Sequence, residues 1–354
     1  MIENLPRYCG RFFRALLDML KHICRKERGG MDLFSVLTLL GGLCLFLFGM
    51  EQMGSALQSR AGAGLKTVLG HLTDGRWRGF FTGLTVTAVI QSSSAVTVMV
   101  VGFVNAAMMT LRQAIYVIMG ANVGTTVTAW IFSLTGLESG SVWVRLLKPS
   151  SFTPILALIG IIFRMTAKEQ HRRDTGLILL GFAVLMTGMD TMSDAVAPLR
   201  DVPAFHEILL WFTNPLLGVL AGALLTAVIQ SSSAAVGILQ ALASTGQVSY
   251  GAAVPIVMGQ NIGTCVTAMF SAVGTNRAAR RAAAVHLGFN VIGTAVWLAA
   301  FWVWKLLYPA AWLAESASAW GIAAAHTVCN VLCVAVLMPM SAQLERLAYR
   351  LVKD

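Results

Sequence analysis

Nine stretches of the chain run almost without charge, near residues 34–53, 79–107, 113–135, 150–166, 175–192, 211–245, 252–274, 281–308 and 318–340. Most approach or exceed the roughly 20 residues an α-helix needs to cross about 30 Å of hydrocarbon. Their interiors are rich in Gly, Ala, Ser and Thr, the residues that let helices pack closely in lipid. Charged residues collect between the stretches, so the pattern predicts an all-α polytopic membrane protein. Two of the stretches, 79–107 and 211–245, are each interrupted by four polar residues, Gln91-Ser92-Ser93-Ser94 and Gln230-Ser231-Ser232-Ser233.

Those interruptions belong to a duplication. Thr87-Ala-Val-Ile-Gln-Ser-Ser-Ser-Ala95 recurs letter for letter as Thr226 to Ala234, an offset of 139 residues. At the same offset Met119-Gly-Ala-Asn-Val-Gly-Thr-Thr-Val-Thr-Ala129 returns as Met258-Gly-Gln-Asn-Ile-Gly-Thr-Cys-Val-Thr-Ala268, and Gly49-Met50-Glu51 returns as Gly188-Met189-Asp190. Without a gap, residues 79–129 and 218–268 agree at 20 of 51 positions, so the similarity covers more than the motifs. An apolar chain with a duplicated half whose most repeated letters are polar is a common plan of secondary transporters. We read residues 1–30 as a basic extension, 31–174 as a first transmembrane repeat and 175–354 as a second, joined at the polar segment from Arg164 to Asp174.

Composition agrees. The chain has 354 residues, of which 12% are charged, about half the share usual in soluble domains. The net charge of +10 follows from Lys and Arg in the loops, as cytoplasmic loops of polytopic proteins carry, and no basic stripe interleaved with aromatics points to nucleic acid. Six cysteines form no C-x-x-C pair, so neither a disulfide framework nor a zinc site is expected. The first thirty residues hold seven Lys or Arg and an amphipathic stretch, Phe12 to Ile23. They read either as a helix on an anionic membrane face or as a segment preceding the true start at Met31.

Loop charge bears on topology. Residues 54–78 carry Arg60, Lys66, Arg76 and Arg78 against Asp74, whereas the equivalent 193–217 carry Arg200 against Asp194, Asp201 and Glu207. Opposite bias in equivalent loops predicts opposite sides of the membrane, hence inverted repeats. If each apolar run of the first repeat crosses once, there are four crossings and the second half enters the same way; if 79–107 instead dips in and returns with Gln91 to Ser94 at its tip, three crossings remain and the second half is inverted. This count puts 54–78 and the C-terminal Arg346, Arg350 and Lys353 in the cytoplasm and residue 31 outside, a poor fit to a basic N-terminal extension.

Four consecutive hydrogen-bonding side chains point all around a helix and cannot face one neighbour. In lipid they are tolerated where the backbone breaks and lines a cavity. A broken helix offers N–H groups to anions and carbonyls to cations, which suits a tetrahedral oxyanion with an alkali cation. No Lys or Arg lies in either segment, so co-bound cations and dipoles must offset the anion's charge. The bland alternative, serines bonding their own or a neighbouring helix, loses weight because the arrangement is duplicated. Asn122, Thr125 and Thr126, with Asn261 and Thr264, read as a second layer whose glycines loosen the helix, or as a small-residue packing face, or both. His286 with Asn290 and His326 with Asn330 share helix faces at i and i+4, as structural pairs or as cavity lining. Glu51 and Asp190, at the ends of apolar runs, either pair with loop arginines or guard entrances.

The doubled Thr-Ala-Val-Ile-Gln-Ser-Ser-Ser-Ala with Met-Gly-x-Asn-x-Gly-Thr after it resembles the type II sodium–phosphate cotransporter family, closest to its bacterial branch. Gly41 to Met50 and the His–Asn pairs are similar as well, and the likeness spans roughly Met31 to Met340. The resemblance implies two inverted repeats whose broken, re-entrant helices meet at the bilayer midplane, and sodium-driven movement of inorganic phosphate across a bacterial cytoplasmic membrane. It implies a substrate and sodium site at Gln91, Ser92, Ser93, Ser94, Gln230, Ser231, Ser232 and Ser233, with sodium as the coupling ion and no other cofactor. Cys265 departs from the family's second Thr, kept at Thr126, and removes one hydroxyl. Many bacterial relatives carry a PhoU-like domain after the last helix; here any such regulation is expected to be absent or to come from a separate PhoU-like protein, and a homodimer is compatible with the resemblance.

Two rivals remain at this level. A serine hydrolase with His286 or His326 as base lacks a G-x-S-x-G context. A channel or a carrier of sulfate or arsenate would ask for similar donors, and sodium dependence and anion competition separate these. A phosphate-gripping nucleotide loop is absent, which argues against ATP-driven transport by this chain.

Overall fold

The computed structural model describes residues 33–71, 73, 75–136, 149–307 and 311–353; the basic extension lies outside them. The described residues are almost wholly helical, in the order α1 (Leu33–His71), α2 (Arg76–Ile90), α3 (Ser93–Asn105), α4 (Leu111–Gly124), α5 (Thr126–Ser133), α6 (Pro149–Thr166) and α7 (Gln170–Val196), then α8 (Pro203–Trp211), α9 (Pro215–Ile229), α10 (Ser232–Ala243), α11 (Tyr250–Ser271), α12 (Arg277–Leu307), α13 (Ala319–Leu337) and α14 (Ser341–Leu351). Among the described residues six helices are long and apolar enough to cross a membrane, and seven if the bent pair α8–α9, which turns by 105°, counts as one span. The chain is an all-α polytopic membrane protein.

The two apolar stretches interrupted by Gln-Ser-Ser-Ser resolve into short helices on either side of the interruption. α2 and α3 have 15 and 13 residues, about 22 and 20 Å, so neither reaches across hydrocarbon alone. Their repeat equivalents α9 and α10 have 15 and 12. The joint expected between Arg164 and Asp174 is a tight turn between α6 and α7, and Asp174 lies inside α7. It is buried and accepts hydrogen bonds from Ser59 Oγ (2.9 Å) and Gln170 Nε2 (2.7 Å). Glu51 and Asp190 lie within α1 and α7, because these helices continue past their apolar runs.

Glycines decide how the helices meet, and they do so twice. A Cβ at Gly83 would land on the Val117 carbonyl of α4, and one at Gly222 on the Ile256 carbonyl of α11. Gly120 meets Phe80 and Gly259 meets Val219 in the same way, so α2 lies backbone to backbone on α4 as α9 does on α11. The pair α1 and α7 is packed similarly. A Cβ at Gly42 would stand 2.9 Å from Met192 N, and one at Gly181 would stand 2.7 Å from Met53 N. Gly42 and Met53 are the repeat equivalents of Gly181 and Met192, so the contact is two-fold symmetric. Because Gly42 faces Gly188 while Gly49 faces Gly181, these equivalent helices run antiparallel.

Filling these contacts has a predictable cost. Gly83→Val or Gly222→Val is expected to destabilise the protein by about 1–3 kcal/mol or more, since backbone must move to admit the side chain. Gly41→Val, with nothing within 4 Å of its Cβ, is expected to leave stability unchanged. Thermal unfolding of the detergent-solubilised variants measures the difference.

Candidate functional site

Each Gln-Ser-Ser-Ser segment breaks a helix by the same local chemistry. Gln91 and Gln230 cap α2 and α9 in the left-handed region, at φ 62° and 58°, a conformation rare for non-glycine residues. Their N–H groups close the last turns on the carbonyls of Thr87 (2.7 Å) and Thr226 (2.6 Å). The next residue of each is extended and caps the following helix: Ser92 Oγ accepts from Ala95 N and Ser231 Oγ from Ala234 N, each at 3.2 Å. A hydroxyl that accepts in this way keeps its own proton to donate. Ser93 with Ser94, and Ser232 with Ser233, then open α3 and α10, where backbone N–H groups have no helical partner.

The close packing of α2 on α4 brings the break toward the Asn-x-Gly-Thr segment. A Cβ at Gly124 would stand 2.7 Å from Thr87 Cβ, and one at Gly263 would stand 2.6 Å from Thr226 Cβ. The glycines therefore serve the packing face in both repeats. The two helices differ at this point: α4 ends at Gly124 and α5 begins at Thr126, whereas α11 is continuous through Gly263. Thr125, Thr126 and Thr264 turn their hydroxyls back onto their own helices, to Ala121 O (3.1 Å), Val123 O (2.8 Å) and Gln260 O (2.9 Å).

Both Asn residues are held by the His–Asn helices. Asn122 donates to Asn290 Oδ1 at 3.1 Å, and its equivalent Asn261 donates to Asn330 Oδ1 at 3.3 Å. Asn290 and Asn330 donate in turn to the carbonyls of His286 (3.0 Å) and His326 (2.9 Å), one helical turn before them. His326 Nε2 also faces Asn261 Oδ1 at 3.4 Å, while neither ring nitrogen of the buried His286 makes a hydrogen bond. Cys265 touches the first clamp, taking a contact from Asn290 Nδ2 at 3.3 Å where Thr126 bonds only its own helix. α12 thus grips the first repeat's asparagine and α13 the second's.

Some polar groups were not singled out in the sequence. Thr87, Thr226, Thr128 and Thr267 all bury hydroxyls that lack a hydrogen-bond partner. They form two repeat-equivalent pairs inside the duplicated segments, a signal available from the alignment of the halves. Gln240 donates to Ala129 O (3.0 Å) and Ala319 O (2.9 Å), tying α10 to α5 and α13; its counterpart is Val101, so duplication gave no hint of it. Among the described residues no hydrogen bond joins the two breaks directly. Their helices share a neighbour, since α3 and α10 both pack on α11. Nor do the described residues hold a group of three or more His, Cys, Asp or Glu side chains placed to bind a metal.

The chain is 29% identical over 314 residues to "Uncharacterized protein YqeW" of Bacillus subtilis, covering 88% of this chain and 96% of the relative. It is 28% identical over 330 residues to "Putative inorganic phosphate export protein YjbB" of Escherichia coli, covering 91% of this chain but only 56% of that protein. "Sodium-dependent phosphate transport protein 2B" of Homo sapiens is 36% identical over 131 residues, 34% of this chain and 19% of the human protein. No solved structure matches. A model of the Na+/Pi-cotransporter family matches residues 45–194 and 202–302, most of the chain and both broken helices. The chain belongs to the Na+/Pi-cotransporter family.

Proposed function

We propose that the protein is a sodium-coupled secondary transporter of inorganic phosphate in the cytoplasmic membrane of a bacterium, working by alternating access. Membership of a cotransporter family makes it a transporter rather than an enzyme, which sets the hydrolase reading aside. The observation that carries the proposal is the pair of identical helix breaks, each with serine hydroxyls at the N-terminus of a helix that packs on the one carrying a clamped asparagine.

In this reading the halves are inverted repeats, as the antiparallel packing of α1 against α7 supports. Phosphate sits between the breaks, facing the hydroxyls and N–H groups of Ser92 to Ser94 and Ser231 to Ser233. Sodium enters as cargo, taking oxygens of Gln91, Gln230 and the Asn-x-Gly-Thr segments. No Lys or Arg lies in α3, α10 or the breaks, so the anion's charge is balanced by sodium and by helix dipoles. That makes phosphate binding depend on sodium. Related proteins are named for export as well as for sodium-dependent transport, and the direction of net flux follows the gradients of both ions.

Purified protein in liposomes is expected to accumulate radiolabelled phosphate with an inward sodium gradient and not with potassium. Equal equilibration in both would argue for another oxyanion or another cation. Ser92→Ala and Ser231→Ala are each expected to lower sodium-driven uptake by about tenfold or more, a loss of about 1.4 kcal/mol or more, as befits a hydrogen bond to a charged group. Asn122→Ala and Asn261→Ala are expected to raise the sodium concentration for half-maximal uptake. Unchanged kinetics in both serine variants at normal membrane expression would refute the site.

A further inference from the structure

The two halves share their internal packing, yet α1 and α7 do not treat them alike. On α10 one face is covered by this helix pair. Ser231 Oγ reaches Met50 Sδ at 4.0 Å, Ala234 and Ala241 are buried, and a Cβ at Gly237 would meet the Phe46 ring at 2.6 Å. On α3 the equivalent face consists of Ser92, Ala95, Val98 and Gly102. Val98 is 36% exposed, Gly102 is exposed, and nothing lies within 4 Å of a Cβ there. α3 has no comparable interface with α1 or α7 among the described residues. The break itself shows the converse imbalance. α1 packs on α2, with Ile90 O 3.6 Å from where a Gly54 Cβ would stand, and Gln91 is 7% exposed, whereas Gln230 is exposed.

We infer that the α1–α7 pair has two docking stations, the occupied face of α10 and the open face of α3, and that moving between them exchanges which half of the site is exposed. The pair is two-fold symmetric in its own contacts, so it presents to α3 the surface it presents to α10 with the roles of its two helices exchanged. Met189 then takes the place of Met50 beside Ser92, and Leu185 takes the place of Phe46 beside Val98. The volumes are complementary in both states: a large ring over glycine in one, leucine over valine in the other. In the second state Gln230 is covered and Gln91 uncovered. A small-residue face left open on one repeat and filled on the other is what a two-state element requires, since two packings of similar quality can interconvert. The inference rests on the transport reading above, which supplies the reason for two states.

Gly102→Leu tests it directly, because the side chain enters open space and leaves the observed packing intact. The variant is expected to fold with an unchanged thermal midpoint and to lose sodium-driven phosphate uptake by about tenfold or more, since the second state is blocked. Gly41→Leu, at another open glycine, is expected to transport normally. Normal uptake by Gly102→Leu overturns the inference. A second test uses paired cysteines in a background without the native ones, bridged by a short bis-methanethiosulfonate linker. Phe46→Cys with Gly237→Cys reports the observed state, and Val98→Cys with Leu185→Cys reports the exchanged one. Both pairs are expected to link, each linked form losing uptake and regaining it on reduction. Linking of the first pair alone, with sodium, with phosphate and with neither, refutes the exchange. Linking of both pairs in a protein that moves no phosphate would leave the exchange standing and remove the substrate assignment.

Discussion

The backbone contact of each broken helix with the helix behind it is the constraint on which the rest of this structure depends. Gly83 and Gly120, and again Gly222 and Gly259, allow α2 onto α4 and α9 onto α11 at a separation no side chain would permit. That contact sets Thr87 against Gly124 and Thr226 against Gly263, one turn before each break. A helix that ends in the interior leaves carbonyls and N–H groups that must find partners. Here the left-handed glutamine closes the outgoing turn and the next serine caps the incoming one, so the break is built from local hydrogen bonds that need no outside support.

Outside support goes instead to the asparagines. Asn122 and Asn261 are each gripped by an Asn one turn after a buried His, on α12 and α13 respectively. α12 is also tied to the end of α3 by Asn276, which donates through its backbone N and side chain to Asn105 (2.9 and 2.8 Å). α13 is tied to the end of α10 by the pairing of residues 246–250 with 315–318, including Ala317 N to Val248 O at 2.7 Å. Each clamp helix therefore holds both ends of its half-site, the asparagine and the far end of the broken helix. Among the described residues, the α1–α7 pair stands outside this arrangement and makes no hydrogen bond to either asparagine.

Much of this was legible in the sequence because duplication marks the positions that cannot drift. The breaks at Gln91 and Gln230 follow from four consecutive polar residues that cannot all face one neighbouring helix, and the His–Asn spacing of four placed each pair on one helix face. The roles inside the second layer were harder to read. Glycines near Asn122 and Asn261 fit a loosened helix and a packing face equally well in sequence; the carbonyls of Phe80 and Val219 opposite them show the packing in both repeats, and the helix is interrupted after Gly124 but not after Gly263. The partner of each asparagine was not readable, since His286 and His326 lie outside the conserved offset. Gln240 and the open face of α3 break the symmetry, and an argument from repetition is blind to what is not repeated.

The central claim is that phosphate is held without a basic side chain, by hydroxyls and helix termini whose anion is balanced by sodium. Equilibrium binding of radiolabelled phosphate to the purified protein, at increasing sodium and constant ionic strength, tests it most directly. The account predicts that phosphate affinity rises with sodium, and that sodium affinity rises by the same factor with phosphate, as linkage demands. Tight phosphate binding in potassium alone, unchanged by sodium, would contradict it.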